Sequence, residues 1–150
     1  MKGARVRSWL PAVLWSAVLL IGSTPLFGAQ TTGAGLEALL TWTLGHAPAV
    51  ATLEIGQVIV RKLAHFVGYG IEGALTLRAT RAGRTDGELR SIAMALAWTL
   101  VVASLDEFNQ SFSPLRTGTP ADVLLDMMGA STAMLILRRR PPERSLQSTW

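Results

Sequence analysis

Hydrophobic and polar positions alternate along this chain in long blocks. An uncharged apolar run covers Trp9 to Phe27, enough residues at about 1.5 Å each to cross a hydrocarbon layer of about 30 Å. A second block, Ile55 to Leu77, is apolar only on average, because Arg61, Lys62, His65 and Glu72 lie inside it. The third has a clean stretch from Ile92 to Leu105. That stretch is too short to cross alone, so a span here starts near Leu89 and draws Asp106 into its frame. The fourth runs from Pro120 to Leu137, with Thr119 placed as N-cap, Pro120 at the first helical position and Asp122 where a capping-box carboxylate sits. Between the first two blocks, Leu36, Leu39, Leu40 and Leu44 recur at helical spacing beside Trp42, the pattern of a short interfacial helix.

The blocks predict an all-α membrane protein with four transmembrane helices and a short outer helix between the first two. Residues 1–8 form the N-terminus, 9–137 the transmembrane domain and 138–150 a basic, disordered tail. A cleaved signal peptide competes for the first block, since Lys2, Arg5 and Arg7 precede it and Gly28 and Ala29 follow. The length of the run and Phe27 near the cleavage position favour an anchor.

Composition agrees: 49% of residues are hydrophobic and 16% charged, with a mean hydropathy of +0.35, outside the range usual for soluble domains. The chain has no cysteine, which excludes disulfides, thiol catalysis and iron–sulfur clusters. A net charge of +4 and a pI near 10.7 raise nucleic acid as a partner, but the basic residues follow the membrane pattern instead. Eleven of the fourteen fall in the N-terminus, the loop after the second span and the tail, all on one side of a four-span topology. Both termini are therefore expected in the cytoplasm, with the protein in the plasma (inner) membrane.

The candidate chemistry lies in the polar residues inside the spans. On a helix at 100° per residue, Lys62, His65, Tyr69 and Glu72 fall within an arc of about 80°. Asp122, Asp126 and Gly129 form a second stripe, with Gly129 permitting close helix approach. Asp106 and Gln110 stand one turn apart with Glu107 between them. The expected topology brings Lys62, His65, Asp106, Glu107, Asp122 and Asp126 to one depth near the outer surface, with Arg116 in the adjoining loop as a counter-charge to Asp106 and Glu107. Simpler roles stand beside these: Arg61 and Lys62 snorkelling to the interface, His65 a satisfied interior histidine, Asp122 only a cap, Tyr69 a packing residue, and Glu72 snorkelling inward without an assigned partner.

The segments Arg61-Lys-Leu-Ala-His-Phe-Val-Gly-Tyr69 and Leu105-Asp-Glu-Phe-Asn-Gln110, followed by Pro114, Arg116, Asp122 and Gly129, resemble the VanZ-like family, named for an accessory protein of glycopeptide-resistance clusters associated with teicoplanin resistance. The resemblance covers residues 61–129. Arg61 stands where the family commonly has Asp, and Asp126 where it commonly has Asn. The resemblance implies an envelope protein concerned with glycopeptide tolerance but brings no settled activity.

Three functions compete. In the first, a binding protein holds an anionic lipid headgroup or cell-wall-related ligand through Lys62, His65, Tyr69, Asp106, Glu107, Gln110, Arg116, Asp122 and Asp126. The second is a membrane-embedded enzyme acting on a lipid or lipid-linked precursor, with Glu107, Asp106 and His65 as candidate acids and bases; no nucleophile motif, phosphate loop or zinc helix motif accompanies them. Transport ranks last, because polar groups confined to the outer third line no continuous route. No cofactor and no metal site is assigned, although a divalent ion at His65, Asp106, Glu107 and Asp122 is a minor alternative. The expected partners are membrane lipids or a lipid-linked envelope ligand, with no nucleic acid.

Overall fold

The computed structural model describes residues 2–24, 29–82, 87–112 and 119–138. Among them the chain is all α-helical: α1 (Lys2–Gly22), α2 (Ala29–Leu44), α3 (Val50–Arg81), α4 (Glu88–Ser111) and α5 (Pro120–Ile136). α3 touches each of the other four helices and is the axis of the bundle. At 32 residues it is about 48 Å long, so it runs well past both ends of the apolar block at 55–77.

The bounds of the first helix differ from expectation, and the four expected spans are supported only in part. The first helix begins at Lys2 rather than Trp9 and ends at Gly22 rather than Phe27; residues 25–28 lie outside the described residues. Among the described residues, α4 alone is both long and apolar enough to cross a membrane by length and composition. α1 has a shorter apolar stretch, Val6–Gly22, α5 has 17 residues, and the charges of α3 interrupt its apolar sequence. The short outer helix is present as the 16-residue α2, packed against α3. It leaves Leu39, Trp42 and Leu44 exposed and ends at Gly45, whose positive φ of 75° lets the chain leave the helix.

Contacts fix the helix directions. Arg81 at the end of α3 grips Glu88 at the start of α4 and donates to the carbonyl of Leu137, just past α5. Ser23, just past α1, meets Asn109 near the end of α4. Thus α3 and α5 run one way, α1 and α4 the other. The bundle has a basic end, with Arg78 and Arg81, and an opposite end where the end of α4 and the start of α5 converge on α3 at Arg61 to Tyr69.

The interior is unusually polar. Ser16, Glu72, Thr76, Thr80, Ser91, Thr99, Asp106, Glu107, Gln110, Asp122 and Asp126 are buried, while Leu10, Leu14, Val18, Leu63, Val67, Val101, Phe108, Leu124 and Met128 face outward. Apolar outside and polar within is the arrangement a hydrocarbon surround favours, because polar groups must then be satisfied by one another. In such a surround helices associate through close packing and hydrogen bonds rather than hydrophobic burial. The apolar core is accordingly built largely on small residues, with Ala95 and Ala130 beside Leu77 and Met134, and Ala103 beside Tyr69 and Val102.

The closest approach is between α3 and α5. A Cβ on Gly129 would collide with the carbonyl oxygen of Phe66, and one on Gly73 would lie 2.8 Å from the Cα of Ala130. Gly129→Ala should therefore lower stability by about 1–3 kcal/mol. Gly35→Ala on α2, where nothing lies within 4 Å, should leave stability unchanged or raise it by about 0.5–1 kcal/mol. Thermal unfolding of the detergent-purified protein compares the two.

Candidate functional site

The site is built where the end of α4 and the start of α5 meet the middle of α3. At its mouth, the start of α5 is capped as its sequence predicts: Thr119 Oγ1 accepts from the backbone N–H of Asp122 at 3.3 Å, with Pro120 in the first turn. In a complete capping box the carboxylate three residues on would reach back to the N–H of the cap residue. Here that N–H donates instead to Glu107 Oε2, from α4, at 2.8 Å. The Asp122 carboxylate is thereby free to accept from Lys62 Nζ at 2.9 Å and Arg61 Nη2 at 3.5 Å, and it also takes the Thr119 hydroxyl at 3.2 Å. Arg61 and Lys62 are thus both tethered to Asp122, although Lys62 remains 47% exposed and Arg61 31%.

One turn deeper, His65 Nδ1 lies 3.0 Å from Asp126 Oδ1, and the Asp126 side chain is fully buried. With the carboxylate ionised, the proton of this bond sits on Nδ1. The His65 ring stacks over Tyr69 at 6.2 Å between centroids, and the Tyr69 hydroxyl lies within the electrostatic reach of Asp106, Asp126 and Glu107. From α4, Gln110 Nε2 reaches Asp106 Oδ2 and Glu107 Oε1, both at 3.4 Å. Three buried oxygens here, Tyr69 Oη, Asp106 Oδ1 and Asp126 Oδ2, make no close hydrogen bond among the described residues, although the Tyr69 hydroxyl faces the Asp106 carboxylate.

Of the sequence candidates, Lys62, His65, Tyr69, Asp106, Glu107, Gln110, Asp122 and Asp126 therefore stand together at one end of the bundle. Arg116, with Pro114, lies outside the described residues. Asp122 is more than a cap, and Arg61 and Lys62 pair with it. The set suggested for a divalent ion changes by one member: the donors within 4.8 Å of one another are His65, Asp106, Glu107 and Asp126, because Asp122 faces the cations instead.

Glu72 departs from expectation. It does not snorkel; it is fully buried, and its Oε1 accepts from Ser16 at 2.8 Å and Trp98 Nε1 at 2.9 Å. Trp15 Nε1 closes the same α1–α3 seam on the carbonyl of Gly68 at 2.9 Å. Ser16, Trp15 and Trp98 gave no sign of this role because they are unremarkable in apolar runs. The signal available was the acid itself, which at that position requires donors from neighbouring helices. The backbone N–H of Thr119 was likewise invisible as a partner for Glu107.

A family model described as VanZ/LLP1 matches residues 9–140 of this chain. No curated protein and no solved structure shows significant similarity to it.

The two ion pairs should differ sharply in energy. Asp126→Ala strands a buried imidazole and should cost about 3–5 kcal/mol, whereas Lys62→Ala, at a half-exposed pair that Arg61 partly replaces, should cost about 0–1 kcal/mol. Denaturant or thermal unfolding in detergent reads both, and equal losses would contradict this ordering.

Proposed function

Since the chain belongs to the VanZ/LLP1 family, we propose that it is a multi-pass plasma-membrane protein of the cell envelope. In this reading it contributes to glycopeptide tolerance by binding the anionic headgroup of a lipid or lipid-linked envelope precursor. α1, α3, α4 and α5 are its four spans. Their alternating directions support a placement with the basic end, both termini and the Arg78-to-Arg90 loop in the cytoplasm, leaving the polar site near the outer leaflet.

One observation carries the headgroup reading. Two cations, Arg61 and Lys62, share the single carboxylate of Asp122, so among the described residues this trio carries one positive charge in excess, on side chains that are partly exposed, while Glu107 is engaged by the backbone N–H of Thr119. A phosphate or carboxylate arriving along the membrane surface supplies the missing anion, with charge-assisted hydrogen bonds of the kind such groups favour. Behind it, the acidic floor repels an anion from entering deeper and restricts binding to the mouth.

A specific feature favours a second reading, that of an enzyme on the same class of lipid. His65 is held by a buried carboxylate and stands beside Glu107 and Asp106, an arrangement suited to proton transfer. Glu107 is the acid nearest the mouth, through its bond to Thr119.

Glycopeptide susceptibility and mass spectra of envelope lipids, taken from cells carrying the wild type, the Arg61→Ala/Lys62→Ala double variant or Glu107→Gln at matched membrane levels, test both. Headgroup binding predicts that the double variant loses most of the tolerance while lipid profiles stay identical. Full tolerance in the double variant would overturn it. A headgroup species that appears or is depleted with the wild type but not with Glu107→Gln would establish the enzyme instead.

A further inference from the structure

Below the mouth, three helices deliver four metal-type donors to one point. His65 from α3, Asp106 and Glu107 from α4 and Asp126 from α5 each offer a ligand atom, and these atoms lie within 4.8 Å of one another. Bonds of about 2.0–2.2 Å from a central ion to imidazole nitrogen and carboxylate oxygen put donors no more than about 4.4 Å apart. Small side-chain rotations therefore close the quartet on an ion.

The partners of these groups point the same way. Asp126 is fully buried, yet its Oδ2 has no hydrogen-bond partner among the described residues; Asp106, 3% exposed, also has an oxygen, Oδ1, outside any close hydrogen bond, with the Tyr69 hydroxyl as its neighbour. Buried carboxylate oxygens are ordinarily satisfied; of the three left unpaired among the described residues, two belong to the quartet and the third is Glu72 Oε2. Charge gives a further reason. Three carboxylates face one imidazole, and the nearby cations Arg61 and Lys62 are both drawn to Asp122, so the described residues leave the quartet with an excess of negative charge that a dication neutralises.

We propose that His65, Asp106, Glu107 and Asp126 bind one divalent metal ion. One imidazole with three carboxylates is a donor set for a first-row ion such as Mn²⁺ or Zn²⁺; thiophilic Cu⁺ finds no sulfur here, and Ca²⁺ and Mg²⁺ gain nothing from the imidazole. The site does not depend on the headgroup reading. If that reading holds, the ion adds positive charge beneath Arg61 and Lys62 and strengthens the hold on an anion.

The test uses the full chain purified in detergent without chelator. Metal content is measured by inductively coupled plasma mass spectrometry, and thermal unfolding is followed after EDTA treatment and on adding back Mn²⁺, Zn²⁺ or Mg²⁺. The proposal predicts about one transition-metal ion per chain, a fall in the unfolding midpoint on chelation and its recovery with Mn²⁺ or Zn²⁺. His65→Ala and Asp126→Asn should weaken the metal by at least about tenfold, and Glu107→Gln serves where either fails to fold; Glu54→Gln, on an exposed position of α3, should change nothing. Arg116 is the competing counter-ion, and Arg116→Ala should leave metal retention intact. Substoichiometric metal together with no midpoint shift for any of the three ions would overturn the proposal, as would metal binding that appears only in Arg116→Ala. Ion content is read without any lipid, so its failure is distinct from failure of headgroup binding.

Discussion

Everything at the polar end depends on how closely α5 lies against α3. The backbone of α5 at Gly129 rests on the carbonyl of Phe66, and the backbone of Ala130 lies over Gly73; nothing larger than hydrogen fits at either glycine. A contact this tight fixes the register of the two helices, which places Asp126 opposite His65 and Asp122 opposite Lys62. A turn of slip in either direction would pair at most one acid with a base and leave another carboxylate without its partner, at a cost of several kcal/mol where that group is buried. Steric and electrostatic matching thus specify the same register, each reinforcing the other.

The charges divide by depth. At the mouth, Glu107 takes the N–H of Thr119 and so releases Asp122 to Arg61 and Lys62. This exchange ties α4 to the α5 cap and α5 to α3 through one short chain of bonds. Beneath it, the histidine and its acids are shielded by Tyr69 and Gln110, both nearly inaccessible. Further down, Glu72 with Ser16 and Trp98 joins α1 to α3 and α4. The polar groups therefore serve as the adhesive between helices whose outer faces are aliphatic, the role such groups take where water is excluded.

The helices were legible in the sequence to the extent that their signals are local. The α5 start follows from Thr119, Pro120 and Asp122, and the presence of α2 follows from its leucine spacing. The beginning of α1 and both ends of α3 were not legible from apolar blocks, because there the helices continue through charged residues that apolarity does not mark. The stripe Lys62, His65 and Tyr69 was visible as a helical face, and the family resemblance, borne by the match over residues 9–140, singled out the same positions. Pairing was not visible, because which acid meets which base depends on helix register and on a backbone N–H. Glu72 shows the limit: it shares the arc of the site residues in projection, yet it lies at the edge of that arc and turns to α1 and α4 instead.

The absence of cysteine makes the α3–α5 register directly measurable. A Cβ at Gly70 would lie 4.0 Å from that of Ala133, within the separation of about 3.5–4.5 Å that a disulfide spans. In the Gly70→Cys/Ala133→Cys variant, oxidised in intact membranes and digested for mass spectrometry, the account predicts an intrachain 70–133 cross-link in most molecules. Free thiols at both positions, or cross-links formed only between chains, would contradict the helix apposition on which the site is built.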